Sequence, residues 1–404
     1  MTPLVHSAAG RGGPRRATAL AAALGLGILA LLGLTGRVAE RPHAPSALDA
    51  IGPGKLGALR SLRLNPDGRP ARGIAAVARS AMTGNPLAFE PFFGIAAAGF
   101  SNTATGSLHD GALLREAVRR NPRAREARAL LLRQAVGQRK LPEAINQLAV
   151  LNQLGSAPID QLMLALGKAI VTERQVTDVV AALAPHPELY APFLRGFGAA
   201  AKPAALTVRA ITDLPPKAMG DPIVRQLAIS QLVGAGEFGA ARALWRARLA
   251  KPSTGLVHSP DFIDTRAPPP FNWDLTINEI GAAERDIGGG LLVDYYGRLA
   301  GVLASQLLTL APGQYVAVLD YRSTSGAPGN LALELRCATG DVLLAARPLD
   351  GKIEVAQTIR LGFAVPSGAC PAQALRLVGR LGEVQEAQRI DVRRLDVVRA
   401  EVRP

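Results

Sequence analysis

Five carboxylates fall close together in the last third of the chain: Asp274, Glu279, Glu284, Asp286 and Asp294. Two facing carboxylates are the usual machinery for cleaving glycosidic bonds, one acting on the leaving oxygen and the other on the sugar or on water. Closeness along a chain does not place two such groups face to face, and charges beside strand ends are ordinarily just solvated. The five histidines, His6, His43, His109, His186 and His258, are scattered, and none has a metal-binding spacing. His258 has Asp261 and Asp264 nearby, but this stretch reads as a solvated linker without the cleft that catalysis needs. There is no G-x-S-x-G elbow and no GxxxxGK phosphate loop, and Gly288–Gly290 reads as a turn. These absences assign no catalytic residue, no metal and no cofactor, and the reading is a non-enzyme. The alternative is an enzyme that processes envelope polysaccharide with the carboxylates of the C-terminal region.

Binding chemistry has better candidates. Tyr295 and Tyr296 are neighbours, so in a strand they point to opposite faces. Tyr295 shares parity with Leu291 and Val293 and belongs inside. Tyr296 then faces out, with Asp294 on its side and Arg298 nearby. Trp273 shares parity with Phe271 and Leu275 and reads as core. Outward Arg336 and Arg376 would supply charge to an acidic glycan, with Tyr296 as a stacking surface. Cys337 and Cys370 are the only cysteines, an even pair that would form a disulfide in an oxidising compartment.

The 404 residues are too many for one ordinary core. Aromatics are only 4 % and the apolar content is carried by Ala, Leu and Gly, which suits a core of many small contacts, as in stacked helices. Of the net charge of +14, residues 1–41 supply +4, five arginines against Glu40, and the remainder +10. No basic run interleaved with aromatics marks a nucleic-acid surface.

Ala17–Gly36 holds twenty residues without a charge, enough for a helix of roughly 30 Å across the hydrocarbon core. Arg11, Arg15 and Arg16 precede it, so the N-terminus stays in the cytoplasm and the bulk is exported across the bacterial inner membrane. Against a cleaved signal peptide stand the length of the stretch, the poor site at Leu34-Thr35-Gly36, and Arg37. The chain is therefore expected to divide into a cytoplasmic tail (1–16), a transmembrane signal-anchor (17–36), a tether (37–70), a helical region (71–250), a Pro-rich linker (251–268) and a β-rich region (269–404).

In the helical region, Ala127, Leu130, Leu131 and Gln134 share one face of a helix over 123–136. Pro142 opens a second helix that carries Ile145, Leu148 and Leu151 on one face. Leu141, Ala144 and Leu148 have bulky–small–bulky spacing, Pro122 ends the preceding unit, and the layout returns at Phe238, Ala241 and Trp245. In this the region resembles a tetratricopeptide (TPR-like) α-solenoid, a resemblance that implies a scaffold with a protein partner on the repeats. Prolines between Pro185 and Pro216 break the middle into short helices.

After residue 268 the periodicity becomes alternating, as in Leu331, Leu333, Leu335 and Cys337, and turn signals separate about eight short strands. The parity of Ile390 and Val392 against Leu395 and Val397 requires a bulge near Arg393-Arg394. This pattern predicts an antiparallel β-sandwich. With Phe271-Asn272-Trp273, the Leu310–Tyr315 turn and a charged closing strand, it resembles the jelly-roll domains of carbohydrate-binding modules. The whole layout resembles envelope proteins of alphaproteobacteria, some linked to exopolysaccharide production. The implied protein is a membrane-anchored periplasmic scaffold, with a protein partner on its repeats and either a partner or a glycan, an acidic one in the case of the arginines, on its sandwich. A reporter active only in the periplasm should work when fused after Pro404, and a cytoplasm-only reporter should fail; the reverse result would overturn the topology.

Overall fold

In the computed structural model the described residues are 74–400, apart from 85, 103–105, 156–157, 248, 250–254, 327–328, 369 and 382–385. The tail, signal-anchor and tether expected over 1–70 lie outside them. Among the described residues no helix is long and apolar enough to cross a membrane. The chain divides into two compact units that meet at Leu227 and Ala228.

The described part of the first unit is helical: α1 (Ile74–Gly84), α2 (Glu90–Asn102), α3 (Leu108–Arg120), α4 (Arg125–Gly137), α5 (Leu141–Gln153), α6 (Ile159–Ala169), α7 (Glu173–Leu183), α8 (Tyr190–Ala199), α9 (Ala204–Asp213) and α10 (Pro222–Gly234), the last crossing the division. Consecutive helices pack together from α1 to α5, after which α6 packs on α8 and α7 on α9. Local chemistry starts several of them. Ser107 and Asp110 cap α3 reciprocally, and buried Gln134 of α4 donates to the Ser107 carbonyl at 2.9 Å, tying the two helices together. Thr172 and Gln175 do the same at α7, and Pro142 sits in the first turn of α5. A Cβ on Gly196 would lie 2.4 Å from the Met163 backbone, so only glycine lets α8 approach α6 this closely.

The described part of the second unit holds α11 (Phe238–Arg246) and ten strands: β1 (Asp274–Leu275), β2 (Gly281–Arg285), β3 (Leu291–Tyr295), β4 (Gly301–Leu308), β5 (Gly313–Gly326), β6 (Leu331–Cys337), β7 (Leu343–Pro348), β8 (Ala356–Val365), β9 (Gln373–Gly379) and β10 (Gln388–Arg399). They form two antiparallel sheets, in the orders β1-β4-β9-β6-β7 and β2-β3-β10-β5-β8. Alternation does what it must: Leu331, Leu333, Leu335, Leu375 and Leu377 of one sheet meet Tyr295, Leu319, Tyr321 and Ile390 of the other in one core. Trp273 and Tyr295 are buried in it and Tyr296 faces out. The register of β10 slips between Val392 and Arg394, at the bulge that its parity requires. Ten strands appear against about eight expected; β1 has two residues and too little alternation to be read.

Cys337, the last residue of β6, is bonded to Cys370, just ahead of the adjacent strand β9, with Cα atoms 5.3 Å apart. Closing a loop over 33 positions contributes about 2–4 kcal/mol. Three buried glutamines, Gln306, Gln373 and Gln388, point their amides at main chain. Gln306 accepts from the His258 N–H and donates to its carbonyl, both at 2.9 Å. Gln373 accepts from Leu310 N and donates to Cys370 O. Gln388 accepts from Leu331 N and donates to Leu349 O.

The segment read as a solvated linker needs correction. Val257 and Phe262 are fully buried in the sandwich core, the Phe262 ring lies tilted 4.8 Å from that of Trp273, and Trp273 Nε1 donates to the Ser259 carbonyl. Trp245 of α11 packs 5.7 Å from Phe271 and donates to Pro268 O. The prolines of Ala267–Pro270 stop regular structure without freeing the chain, because the apolar side chains before them have a core to enter. Each of Val257 and Phe262 contributes about 1.5–3 kcal/mol by burial, so a fragment cut at residue 269 loses much of the stability of a domain. Residues 228–404 should therefore unfold cooperatively in urea, and residues 269–404 should not; equal midpoints would show that the segment is dispensable.

Candidate ligand-binding face of the sandwich

The inward leucines of β6 and β9 force Glu334, Arg336 and Arg376 onto the opposite, outer face of their sheet. Glu334 stands opposite Arg376 in the ladder, and Arg336 is two residues further along β6. Arg336 Nε donates to Glu334 Oε2 at 2.8 Å. The β6–β7 turn then brings Asp341 over the pair. Arg376 Nη1 donates to Asp341 Oδ1 at 2.9 Å, and Arg336 Nη1 to Oδ2 at 3.2 Å. The same Arg336 nitrogen donates to the Asp341 carbonyl at 2.9 Å.

This cluster has a gradient of exposure. The Glu334 side chain is 11 % exposed, the two arginines 25 % each and Asp341 59 %. The Glu334 bond, with Asp341 adding to it, holds the Arg336 guanidinium above its ordinary pKa. Along β6 and β9 the outer face also carries small, buried apolar residues, Ala332, Ala374 and Val378, and Ser305 of β4 stands opposite Arg376. Two guanidiniums, each from a different strand, converge on one carboxylate through charge-assisted hydrogen bonds.

The five binding candidates from sequence do not meet. Arg336 and Arg376 lie together, but Tyr296, Asp294 and Arg298 belong to β3 and the loop after it, in the other sheet. The two outer faces point away from each other, so a single surface combining Tyr296 with Arg336 and Arg376 does not form. Asp294 is held by Arg389 across the β3–β10 ladder, Tyr296 is 42 % exposed, and Arg298 is exposed. Glu284 is opposite Leu292, two pairs further along the ladder than Asp294. Glu334 and Asp341 carry only local signals in the sequence: Glu334 shares parity with Arg336, and Asp341 sits in the Thr339-Gly340-Asp341 turn.

His258, expected in solvent, is enclosed. Its side chain is 11 % exposed, its Nε2 lies 2.7 Å from Asp264 Oδ2, and the Trp245 ring meets it edge-on at 4.9 Å. Ser259 Oγ accepts from Asp264 N and donates to Asp261, so this hydroxyl serves the loop and not His258. Among the described residues no group of His, Cys, Asp and Glu could hold a metal ion.

The helical unit has a groove of about 810 Å³. Leu141, Pro142 and Ala144 of α5 form one wall and Ala181 and Ala182 of α7 the other, with Arg139, Lys140 and Asp178 also lining it.

No protein-family model and no curated protein matches this chain. Among solved structures, it is similar to one described as "CBM4 structure and function", at 14 % identity over 36 % of this chain and 99 % of that one, with a TM-score of 0.28. A CBM61 structure in complex with β-1,4-galactotriose matches at 14 % identity over 37 % of this chain and all of that one, with a TM-score of 0.26. A carbohydrate-binding module of lichenase 5A from Cellvibrio mixtus, in complex with cellotriose, matches at 17 % identity over 30 % and 92 %, with a TM-score of 0.19.

Burial raises the Asp264 carboxyl, but the Arg266 N–H, the His258 bond and the Ala267 N–H outweigh it and hold the group below its ordinary 3.8. A depressed folded value stabilises the fold above pH 3.8, and that contribution disappears as pH falls through the folded value. Asp264→Asn should cost about 1 kcal/mol near pH 7, a modest figure because the side chain is 35 % exposed. The gap between wild type and variant should close below pH 3.8 in urea titrations, and a gap that persists or widens there would contradict the assignment.

Proposed function

We propose that the sandwich binds a carboxylate-bearing glycan on the face of Arg336 and Arg376, in a membrane-anchored envelope scaffold that does not catalyse. One observation carries the reading: two arginines on adjacent strands reach one surface carboxylate, each through a separate oxygen. Repeating uronate-type groups on a polymer present the same chemistry at regular intervals. The disulfide suits an oxidising compartment outside the cytoplasm, which is where such polymers are found. The groove of the helical unit offers an apolar wall with charges beside it to a protein segment, which fits the partner expected there. Of the carboxylates that could serve cleavage, Asp294 is engaged by Arg389.

The test is to titrate the full chain, in detergent, with polygalacturonate, and to analyse the polymer afterwards for chain length. Binding should weaken as salt rises from about 0.05 to 0.3 M, since screening acts on exposed charges. It should fall at least about tenfold in the Arg336→Ala/Arg376→Ala double variant, the loss of two charge-assisted contacts. Unchanged binding in that variant would remove the face from consideration. Shortened polymer, lost on replacing Glu284 or Asp294, would establish the enzyme instead.

A further inference from the structure

Asp341 already fills the position that the proposed ligand needs. Its two oxygens are divided between Arg376 and Arg336, as those of a bound carboxylate would be. With it in place the cluster holds two positive and two negative side chains and has no charge left for an anion. Glu334 cannot be the member that yields, because it is buried beneath Arg336 and bound through Nε. Asp341 is the outermost of the four and more than half exposed.

Its backbone tells the same story. Gly340 and Asp341 both have positive φ, 75° and 51°, a conformation that a non-glycine residue adopts at some cost. The turn that holds this conformation is closed by Cys337 N donating to Val342 O at 2.8 Å. Arg336 is also anchored by the Asp341 carbonyl, a contact that does not depend on where the Asp341 side chain points. The arginine therefore stays oriented when the carboxylate swings away.

On the reading of this face as a carboxylate receptor, we infer that Asp341 is a built-in competitor, which a ligand carboxylate must displace from between Arg336 and Arg376. The exchange is one carboxylate for another, so neutral sugars gain nothing from it. Selectivity for acidic polymer and a weakened affinity for it come from the same residue. A polymer with many carboxylates can displace Asp341 by mass action where a single acid cannot.

The full chain and its variants are titrated with polygalacturonate oligomers, and with their methyl esters as the uncharged control. Asp341→Asn removes the charge and keeps a residue that tolerates positive φ, and Asp341→Gly relieves the backbone. Both should bind the acid form about three- to thirtyfold more tightly than wild type, as expected for release of two exposed charge-assisted contacts. Asp396→Asn, on the other sheet, removes the same charge as a control and should leave binding unchanged. Equal gains in Asp396→Asn would reduce the effect to net charge and overturn the inference. So would unchanged or weaker binding in both Asp341 variants when the Arg336→Ala/Arg376→Ala chain has lost it. If wild type, Asp341→Asn and Asp341→Gly all fail to bind, the reading of the face is wrong, and the competitor with it.

Discussion

A buried backbone N–H or C=O without a partner costs about 1–3 kcal/mol, and a sandwich creates such groups wherever strand pairing stops. Here three glutamine side chains supply the missing partners. A side-chain amide carries the same donor and acceptor as a peptide unit. Gln306 pairs with both polar groups of His258 as a neighbouring strand would. Gln373 links the chain at Leu310 to that at Cys370, and Gln388 links Leu331 to Leu349. The ordered ends of the sheets depend on these amides. Because Gln306 captures His258, the segment around it stays in place and sends Val257 and Phe262 into the core.

The proposed face inherits its geometry from the same constraint. Gln373 begins β9 and Cys337 ends β6, so an amide and a covalent bond meet where these two strands leave the sheet. Arg376 lies three residues after Gln373, and Arg336 immediately precedes Cys337. The spacing of the two guanidiniums is thereby set by groups inside the protein. A receptor whose cationic groups are held before the ligand arrives loses less conformational freedom on binding.

Alternation made much of the sandwich legible. Tyr295 in and Tyr296 out, Trp273 in the core and the slip near Arg393 all follow from a period of two and the need to bury one face. Which sheet a strand joins is not written in alternation, and so Tyr296 and the arginines could be assigned outward but not to opposite sides. The stretch before residue 269 hides its burial for a related reason. Its Pro, Ser and Gly content resembles a linker, and nothing local shows that Val257 and Phe262 meet Trp273 and that His258 meets Gln306. Helix signals were local by contrast: the face of Ala127, Leu130, Leu131 and Gln134 is buried as its spacing requires. Asp341 is not legible from sequence because a turn aspartate is common, and its pairing with Arg376 depends on a strand 35 residues away.

The disulfide has a mechanical consequence. A long polymer held at the outer face would pull on Arg336 and Arg376 whenever its far end was dragged by flow or by a moving surface. Tension applied at Arg336 runs one residue to Cys337, crosses the covalent bridge to Cys370, and arrives at the start of the strand that carries Arg376. The two strands are thus coupled in shear by a bond that does not slip. Under tension along the strands, the anchoring points on β6 and β9 would move as one piece.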